Sequence, residues 1–310
     1  MKKIFIDGKA GTTGLRIYER LEKRTDIEIL TLSEAERKDP AARKRMFSEA
    51  DVVFLCLPDE ASIEAAMMME GLPVTVIDTS TAHRTRDDWS YGFPELSPEF
   101  EAKIMSSKRI AVPGCHASGF IALVRPLIKA GILSPDAKLC CHSVTGYSGG
   151  GKKMIADYES AERSELLGAP RQYALGQSHK HLREMKKICG LENEPIFCPI
   201  VSDFYSGMVV TVPLFASDLQ GGATAADIKA LYAGIYKSDI VKYKDAADED
   251  GTLSAAGLSG KDSMEISVFG GDERIILTAR YDNLGKGASG AAVEVLNMIL
   301  GAERAEGLEL

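Results

Sequence analysis

The first 80 residues alternate short apolar strands with amphipathic helices, and this alternation constrains the fold more than any other feature of the chain. Lys2 to Asp7 is a predicted strand, and a glycine-rich turn and a helix follow it. Three further strands are predicted at 27–32, 51–58 and 74–78, with a helix over 60–70. Strands separated by helices pair in parallel. The sequence therefore predicts an α/β fold with a doubly wound parallel sheet and ligands at the carboxyl ends of its strands.

The turn after the first strand, GKAGTTG at 8–14, has the spacing GxxGxxG. The commoner dinucleotide-binding turn is GxGxxG, but both need a tight turn, a backbone close to a diphosphate and a closely packed helix. A plain strand-to-helix turn is the alternative, since the spacing departs from the common pattern. The position directly after the first strand favours a cofactor site.

The end of the second strand bears on which cofactor would bind. An NAD enzyme usually carries an acidic residue there for the ribose 2′-hydroxyl, whereas this strand ends in Ser33, with Arg37 and Lys38 close behind. A hydroxyl with nearby cations suits a 2′-phosphate, so we expect NADP. Glu34 and Glu36 in the same segment count against this expectation.

A candidate nucleophile lies in the segment AVPGCHASGF, residues 111–120, where a short strand delivers Cys115 to a predicted helix start. A thiol there lies near unpaired backbone N–H groups and the positive end of the helix dipole, which favour the thiolate. A buried structural cysteine is the alternative. The helix is expected to run to about Ala130, with a kink or local break at Pro126.

Two later segments combine polar groups in ways that suit anion or proton chemistry. The glycine-rich turn at 148–153 ends in Lys152 and Lys153 and is read either as an anion cradle or as a solvated loop ahead of a helix over 154–167. His179 and His181 are two of only five histidines. Adjacent cations disfavour a metal there, so a general base or a phosphate site fits better, with a helix-capping histidine as the alternative.

Bulk properties restrict the class of protein. The 310 residues suit two domains, or one with a large insertion, and no apolar run reaches the ~18 residues of a membrane span. The N-terminus lacks the apolar stretch of an export signal, and the six cysteines show no CxxC spacing, so we expect reduced thiols in a cytoplasmic protein. The net charge of −8 argues against nucleic acid as a partner, and a small-molecule substrate is expected.

The second half of the chain lacks the alternation of strands and helices found in the first 80 residues. Segments 195–204, 208–215, 264–270 and 275–282 are β-rich, with one helix near 223–237. A glycine-rich segment at 282–290 then leads into a last helix. We therefore expect a dinucleotide-binding domain at 1–114 and 285–310, with an α+β domain inserted at 115–284.

Seven segments in order resemble the N-acetyl-γ-glutamyl-phosphate reductases of arginine biosynthesis, in particular their shorter type: GKAGTTG, DTSTAHR, YGFPEL, VPGCHASGF, GYSGGGKK, SHKHLRE and DNLGKGASG. The resemblance spans nearly the whole chain. It implies the semialdehyde dehydrogenase architecture, a Rossmann domain with a catalytic domain inserted before the last helix, so that the inserted domain at 115–284 is the catalytic and dimerisation domain. It also implies thiolate chemistry and a homodimer or homotetramer.

The resemblance implies roles for individual residues. Cys115 attacks the acyl carbon of the acyl phosphate, phosphate leaves, NADPH reduces the thioacyl enzyme, and His179 or His181 handles the proton. His179 is weakly favoured, and since residues two apart in a helix or strand point apart, only one is expected to face Cys115. The cofactor would contact Gly8, Ala10, Gly11, Thr12, Thr13, Gly14, Ser33, Arg37, Lys38, Ser80, Asn283, Lys286 and Gly287. Candidate substrate residues are Arg84, Lys180 and Arg183.

Three other functions remain as alternatives. An aspartate-semialdehyde dehydrogenase would use the same thiol on aspartyl phosphate. A non-catalytic NADP sensor would bind cofactor without needing the thiol, and a thiol hydrolase would leave the first glycine turn unexplained.

Overall fold

The structure, a computed structural model, describes residues 1–310, which form two compact units. The first unit comprises 1–94, 98–114 and 288–308; the second comprises 95–97, 115–287 and 309–310. The strands are β1 (Lys2–Asp7), β2 (Ile27–Leu30), β3 (Val52–Leu55), β4 (Thr75–Asp78), β5 (Ser90–Tyr91), β6 (Arg109–Ala111), β7 (Cys140–Gly146), β8 (Arg171–Gln172), β9 (Ile196–Ser202), β10 (Met208–Phe215), β11 (Val241–Tyr243), β12 (Met264–Gly270) and β13 (Arg274–Tyr281).

The α-helices are α1 (Thr12–Leu21), α2 (Pro40–Glu49), α3 (Asp59–Met68), α4 (Pro98–Ser106), α5 (Cys115–Lys129), α6 (Gly151–Glu159), α7 (His181–Cys189), α8 (Ala225–Ile235) and α9 (Gly290–Leu300). None of them combines the length and the hydrophobicity that a membrane span requires.

The sheet of the first unit is parallel throughout, in the order β2-β1-β3-β4-β6-β5. The chain proceeds from β1 to one side and then returns to build the other side from β3, so the strand order reverses between β1 and β3. Ligands of open α/β sheets bind at the carboxyl ends of the strands at such a point. The predicted doubly wound α/β fold is confirmed.

Both faces of this sheet are buried, because successive strand residues point to opposite sides. Ile4 and Ile6 of β1 enter a core that α1 and α9 complete, whereas Phe5 enters a second core with residues of α2 and α3. Helices on both faces require strands that are apolar at every position, which explains the continuous apolar run of β3.

The second unit is built on a seven-stranded mixed sheet in the order β11-β12-β13-β10-β7-β9-β8. β10 and β12 coincide with the β-rich segments predicted from the sequence. In β13 Ile275 is buried while Ile276 is 42% exposed, and exposed Ile196 and Phe215 lie on the same side of the sheet as Ile276. We call this side, which carries the three exposed apolar residues Ile196, Phe215 and Ile276, the open face.

The break expected in α5 at Pro126 does not occur, since the helix continues to Lys129. A proline offers no N–H to the carbonyl four residues earlier and disturbs the neighbouring bond. Tyr236 donates its hydroxyl to that carbonyl, of Ala122, at 2.6 Å, and the Tyr232 hydroxyl donates to the next, of Leu123. Two buried phenols thus satisfy the carbonyls that a proline would leave without donors.

The helix predicted over 154–167 also differs. α6 starts at Gly151, directly after a 3-10 helix over Tyr147–Gly150, and ends at Glu159. The glycine-rich segment is therefore largely helical, and this shape brings the Tyr147 ring into a stack on Tyr158 with ring centres 4.7 Å apart.

Candidate active site

Cys115 is the first residue of α5, where its thiol is half-buried. The Tyr281 hydroxyl from β13 donates to the carbonyl of Cys115 and accepts the N–H of Gly119 at 3.0 Å. One phenol therefore holds both backbone groups of the first helical turn. Burial and, second, the charge of Cys115 raise the pKa of Tyr281 far above its usual range, so this phenol stays protonated.

Two glycines permit this close packing. A side chain at position 119 would meet the Tyr281 hydroxyl and Val210 at 2.7 Å, and one at position 287 would lie 3.2 Å from the Cβ of Cys115. Gly287 was predicted to contact the cofactor, and the structure places it against the candidate nucleophile.

His116, next to Cys115 in sequence, lies at the centre of a group of aromatic rings. Its two ring nitrogens are each 2.6 Å from a hydroxyl oxygen, of Ser143 and of Tyr173. Burial and, second, the charge of His179 lower the pKa of His116 to about 3, so this imidazole is neutral throughout the physiological range. Burial and, second, the charge of Cys115 raise the pKa of Tyr173.

We expected only one of His179 and His181 to face Cys115; both lie against its neighbour in the chain, His116. Their ring centres are 4.7 Å apart and lie 5.9 and 5.7 Å from that of His116. The expectation assumed a regular helix or strand, but His179 precedes α7 and folds back over its first turn, which contains His181.

His179 caps α7, because its Nδ1 accepts the backbone N–H of His181 at 3.2 Å. Neutral His179 therefore carries its proton on Nε2. Burial and, second, the positive charge of Lys180 lower the pKa of His179, which favours the neutral form further. His179 therefore bonds to the start of α7, as in the helix-capping alternative, and also lies in the candidate site.

Lys180 and Arg183, the cations predicted to bind substrate, are both exposed. Lys180 is the N-cap residue of α7, and Arg183 lies in the first turn of the helix. Glu184, which the sequence did not single out, is buried and close enough to contribute to the raised pKa of Tyr281.

The first unit carries the predicted diphosphate turn. Gly8 has a φ of +88°, and a side chain there would lie 2.3 Å from the carbonyl oxygen of Cys56 on the loop after β3. A side chain on Gly14 would lie 2.5 Å from the carbonyl oxygen of Gly8. No side chain caps α1 at Gly11 and its first turn holds no acidic residue, so its N–H groups suit a diphosphate. Ala10, Thr12 and Thr13 lie along the same turn.

The segment around Ser80 is organised by the buried carboxylate of Asp78. It accepts hydrogen bonds from the Ser80 hydroxyl at 2.6 Å, from the Ser80 N–H at 2.9 Å and from Ser62 at 3.2 Å. Nδ1 of His83 lies 2.6 Å from the same carboxylate, and the His83 ring stacks on Trp89 with centres 3.9 Å apart. We call this group the Asp78 cluster.

Arg84, a candidate substrate residue, has its guanidinium bonded within the protein. It is 8% exposed, and its guanidinium donates to the carbonyl of Val112 at 2.8 Å and to that of Thr79 at 2.7 Å. These bonds join the ends of β4 and β6, a structural use of an arginine that the sequence pattern does not reveal.

Two predicted cofactor residues in the second unit also have their side chains bonded within the protein. The amide of Asn283 accepts from the N–H of Gly207 at 2.9 Å and donates to Ser148 at 3.0 Å. Nζ of Lys286 lies 2.8 and 3.0 Å from the two carboxylate oxygens of Glu95, and both side chains are buried. These side chains order the segment before α9, and Gly287 is part of that segment.

The residues predicted to select NADP are exposed and partly paired. The Ser33 hydroxyl donates to Glu36 at 2.6 Å, and Arg37 lies 3.1 Å from Glu34. Lys38 is exposed beside them. A 2′-phosphate would have to replace carboxylates as the partner of Ser33 and Arg37.

Sequence reasoning missed the phenols of Tyr173 and Tyr281 and left His116 without a role. Tyr173 lies six residues before His179, but a tyrosine in a loop carries no pattern that separates a buried partner from a surface ring. Tyr281 looked like an ordinary strand residue. Only the adjacency of His116 to Cys115 was visible beforehand.

Comparison with known proteins agrees with this description. The family model of the semialdehyde dehydrogenase NAD binding domain matches residues 3–104, and that of the semialdehyde dehydrogenase dimerisation domain matches residues 115–283.

Relatives and solved structures match over most of the chain. N-acetyl-gamma-glutamyl-phosphate reductase from Sinorhizobium medicae is 46% identical over 97% of this chain and 99% of its own length. N-acetyl-gamma-glutamyl-phosphate reductase 2 from a Nostoc species is 42% identical over 99% of both chains. Aspartate semialdehyde dehydrogenase II from Vibrio cholerae shares the fold with a TM-score of 0.73 over 97% of this chain and 98% of its own, at 18% identity. The chain therefore belongs to the semialdehyde dehydrogenase family and, within it, to the N-acetyl-γ-glutamyl-phosphate reductases.

Proposed function

We propose that this enzyme converts N-acetyl-γ-glutamyl phosphate to N-acetylglutamate 5-semialdehyde, the third step of arginine biosynthesis, with NADPH as reductant and Cys115 as nucleophile. The observation that carries the proposal is the placement of Cys115 at the start of α5, with its backbone held by the buried phenol of Tyr281. A thiol in this position suits attack on an acyl phosphate.

The cofactor would bind in the first unit. Gly8 and Gly14 fold the turn tightly, and the uncapped N-terminus of α1 offers backbone N–H groups to a diphosphate. When bound, the nicotinamide cofactor supplies the hydride that reduces the acyl group.

The protein's own groups perform the remaining chemistry. The Cys115 sulfur bonds to the acyl carbon, the carbon–oxygen bond to phosphate breaks, and a thioester remains on the enzyme. After reduction, the carbon–sulfur bond breaks and Cys115 departs as thiolate while the aldehyde forms.

The two histidines, His179 and His181, have different roles at the reacting oxygen. Because Nδ1 of His179 is committed to capping α7, its Nε2–H acts as a hydrogen-bond donor to the oxyanion. His181 exchanges the proton with the same oxygen. This division reverses the weak preference for His179 as acid–base group. Lys180 and Arg183, both exposed at the start of α7, are proposed to attract the substrate phosphate.

For the cofactor we propose NADP over NAD, through Ser33, Arg37 and Lys38. Arg37→Ala should raise the KM for NADPH by about tenfold and leave the KM for NADH nearly unchanged, since a charge-assisted bond to the 2′-phosphate is lost. Equal effects on both cofactors would contradict this selection.

We also propose that the protein is a homodimer, with two copies meeting through the open face. Exposed Ile196, Phe215 and Ile276 on one sheet face are a large apolar surface for a monomer. Ile276→Glu should shift the mass measured by light scattering toward the monomer. A tetramer would need a second surface.

The reaction is tested with N-acetylglutamate semialdehyde, phosphate and NADP, following cofactor absorbance. Cys115→Ser should lower kcat by at least about 10⁴-fold. Cys189→Ala is the matched control, because burial raises the pKa of the Cys189 thiol far above its usual range and makes it inert. Turnover by Cys115→Ser at the wild-type rate would refute the mechanism.

The same assay separates the alternatives. Faster turnover of aspartate semialdehyde would make the protein an aspartate-semialdehyde dehydrogenase. Binding of NADP without turnover of either aldehyde would indicate a sensor.

A further inference from the structure

Three side chains on the open face carry ligand atoms for a soft metal ion. Cys140 and His142 are two apart on β7, so they point to the same side of the sheet. Cys198 on the parallel neighbour β9 is the register partner of His142. Cys141, between the first two, is buried on the opposite side. Because of strand alternation and register, two thiols and one imidazole lie together at one point of this face.

The spacing of the ligand atoms suits one ion. The two sulfurs and one imidazole nitrogen all lie within 4.8 Å of one another, and Sγ of Cys140 is 3.5 Å from Nε2 of His142. Tetrahedral Zn²⁺, with its usual bond lengths to sulfur and nitrogen, separates such a pair by about 3.6 Å. This edge of the tetrahedron is therefore already formed.

We propose that Cys140, His142 and Cys198 bind one soft divalent cation of the Zn²⁺ type, at a site separate from the candidate active site. Two thiolates and an imidazole are the ligands that Zn²⁺ prefers, whereas Mg²⁺ and Ca²⁺ need oxygen ligands. Water occupies the fourth position.

The surroundings permit loading from solvent. In a single protomer His142 is exposed and both cysteines are half-buried, so the cation enters without opening the core, before two copies meet through the open face. The cation binds the thiolate form of a cysteine, so protons on the ligand sulfurs leave to solvent when it binds.

The test uses the full-length protein with Co²⁺ as a spectroscopic stand-in for Zn²⁺. Cys115→Ser serves as the background, because it removes the candidate active-site thiol. Titration in a non-thiol reductant should give one Co²⁺ per chain, with thiolate-to-metal charge transfer and the visible bands of a tetrahedral site, and Zn²⁺ should displace it.

Adding Cys140→Ser or Cys198→Ser should weaken Co²⁺ binding by more than about 100-fold, since losing a ligand costs more than disturbing its outer contacts. Adding His142→Asn should retain the charge-transfer band with weaker binding. Adding Cys189→Ala, the control, should leave the titration unchanged.

Two results would overturn the proposal. One is a Co²⁺ spectrum that survives both Cys140→Ser and Cys198→Ser, which would place the metal among the histidines near Cys115. The other is failure of the Cys115→Ser protein to bind Co²⁺ although its thiols are reduced. Neither result depends on catalysis, so the proposed reaction is tested separately.

Discussion

The Asp78 cluster and the group around His116 contain similar residues, serines and histidines in short polar segments, yet they are built for different purposes. Asp78 accepts hydrogen bonds from Ser62, Ser80 and His83 and is completely buried. His116 has neutral hydroxyls as partners at both ring nitrogens and lies next to the half-buried Cys115.

This difference shows that residue type alone does not identify a site. A carboxylate whose hydrogen bonds come from the surrounding protein stabilises the local fold. The neutral imidazole of His116 has both ring nitrogens bonded to hydroxyls and does not itself react. The thiol of the neighbouring Cys115 is therefore the group that reacts. Four substitutions, each paired with a second variant for comparison, test this difference between the two groups, from the largest expected effect to the smallest.

His181→Asn should lower kcat by about 10²–10⁴-fold with little change in the free energy of unfolding, because it removes a proton-transfer group. His179→Asn should cost less, since the asparagine side chain still caps α7. Steady-state kinetics and urea denaturation measure the two quantities. A greater loss in His179→Asn would return the acid–base role to His179.

Asp78→Asn should lower the free energy of unfolding by about 2–4 kcal/mol, because a buried carboxylate is replaced while its donors stay in place. Ser62→Ala removes only the 3.2 Å bond and should cost about 1 kcal/mol. Urea denaturation measures both. If Asp78→Asn kept full stability and lost only activity, the Asp78 cluster would be functional.

Tyr173→Phe should lower the free energy of unfolding by about 1–2 kcal/mol, since Nε2 of buried His116 loses its partner. Tyr147→Phe is the control, because its hydroxyl makes only an exposed 3.4 Å bond to Glu159. Urea denaturation should show no resolvable change for the control. An equal loss of unfolding free energy in both variants would mean that the hydrogen bond between Tyr173 and His116 does not stabilise the fold more than the exposed bond of Tyr147.

Lys180→Met should raise the pKa of His179 toward its ordinary value, because a nearby positive charge is removed while burial remains. Protonation of His179 on acidification should then begin at higher pH than in the wild type. NMR titration of the imidazole C–H signals measures this, with Lys180→Arg as the charge-preserving control. A lower pKa in Lys180→Met would contradict the electrostatic assignment.

The parallel sheet was predictable because its information is local. The run of apolar residues in β3 and the glycine turn after β1 depend on neighbouring residues, and both appear in the structure as expected. The first residue of α5 was predictable for the same reason, since Pro113 and Gly114 mark the boundary.

The arrangement of the site was less predictable because it depends on contacts between distant segments. Tyr281 meets Cys115 across 166 positions, and Lys286 meets Glu95 across 191. Arg84 was a candidate substrate residue because the carbonyls that hold it are invisible in a sequence. The position of both His179 and His181 beside His116 was not predictable, because the rule that residues two apart point apart holds for regular helices and strands and not where a helix begins.

The proline of α5 has a consequence for the order of folding. The phenols that satisfy the carbonyls of Ala122 and Leu123 arrive 114 and 109 residues later in the chain. During synthesis, the carbonyls in the middle of the helix that presents Cys115 therefore stay hydrated until α8 and Tyr236, which follows it, have left the ribosome. In a nascent chain that ends before Tyr232, the backbone N–H groups of α5 near Pro126 should exchange rapidly with solvent, and a rigid nucleophile should be among the last features to form.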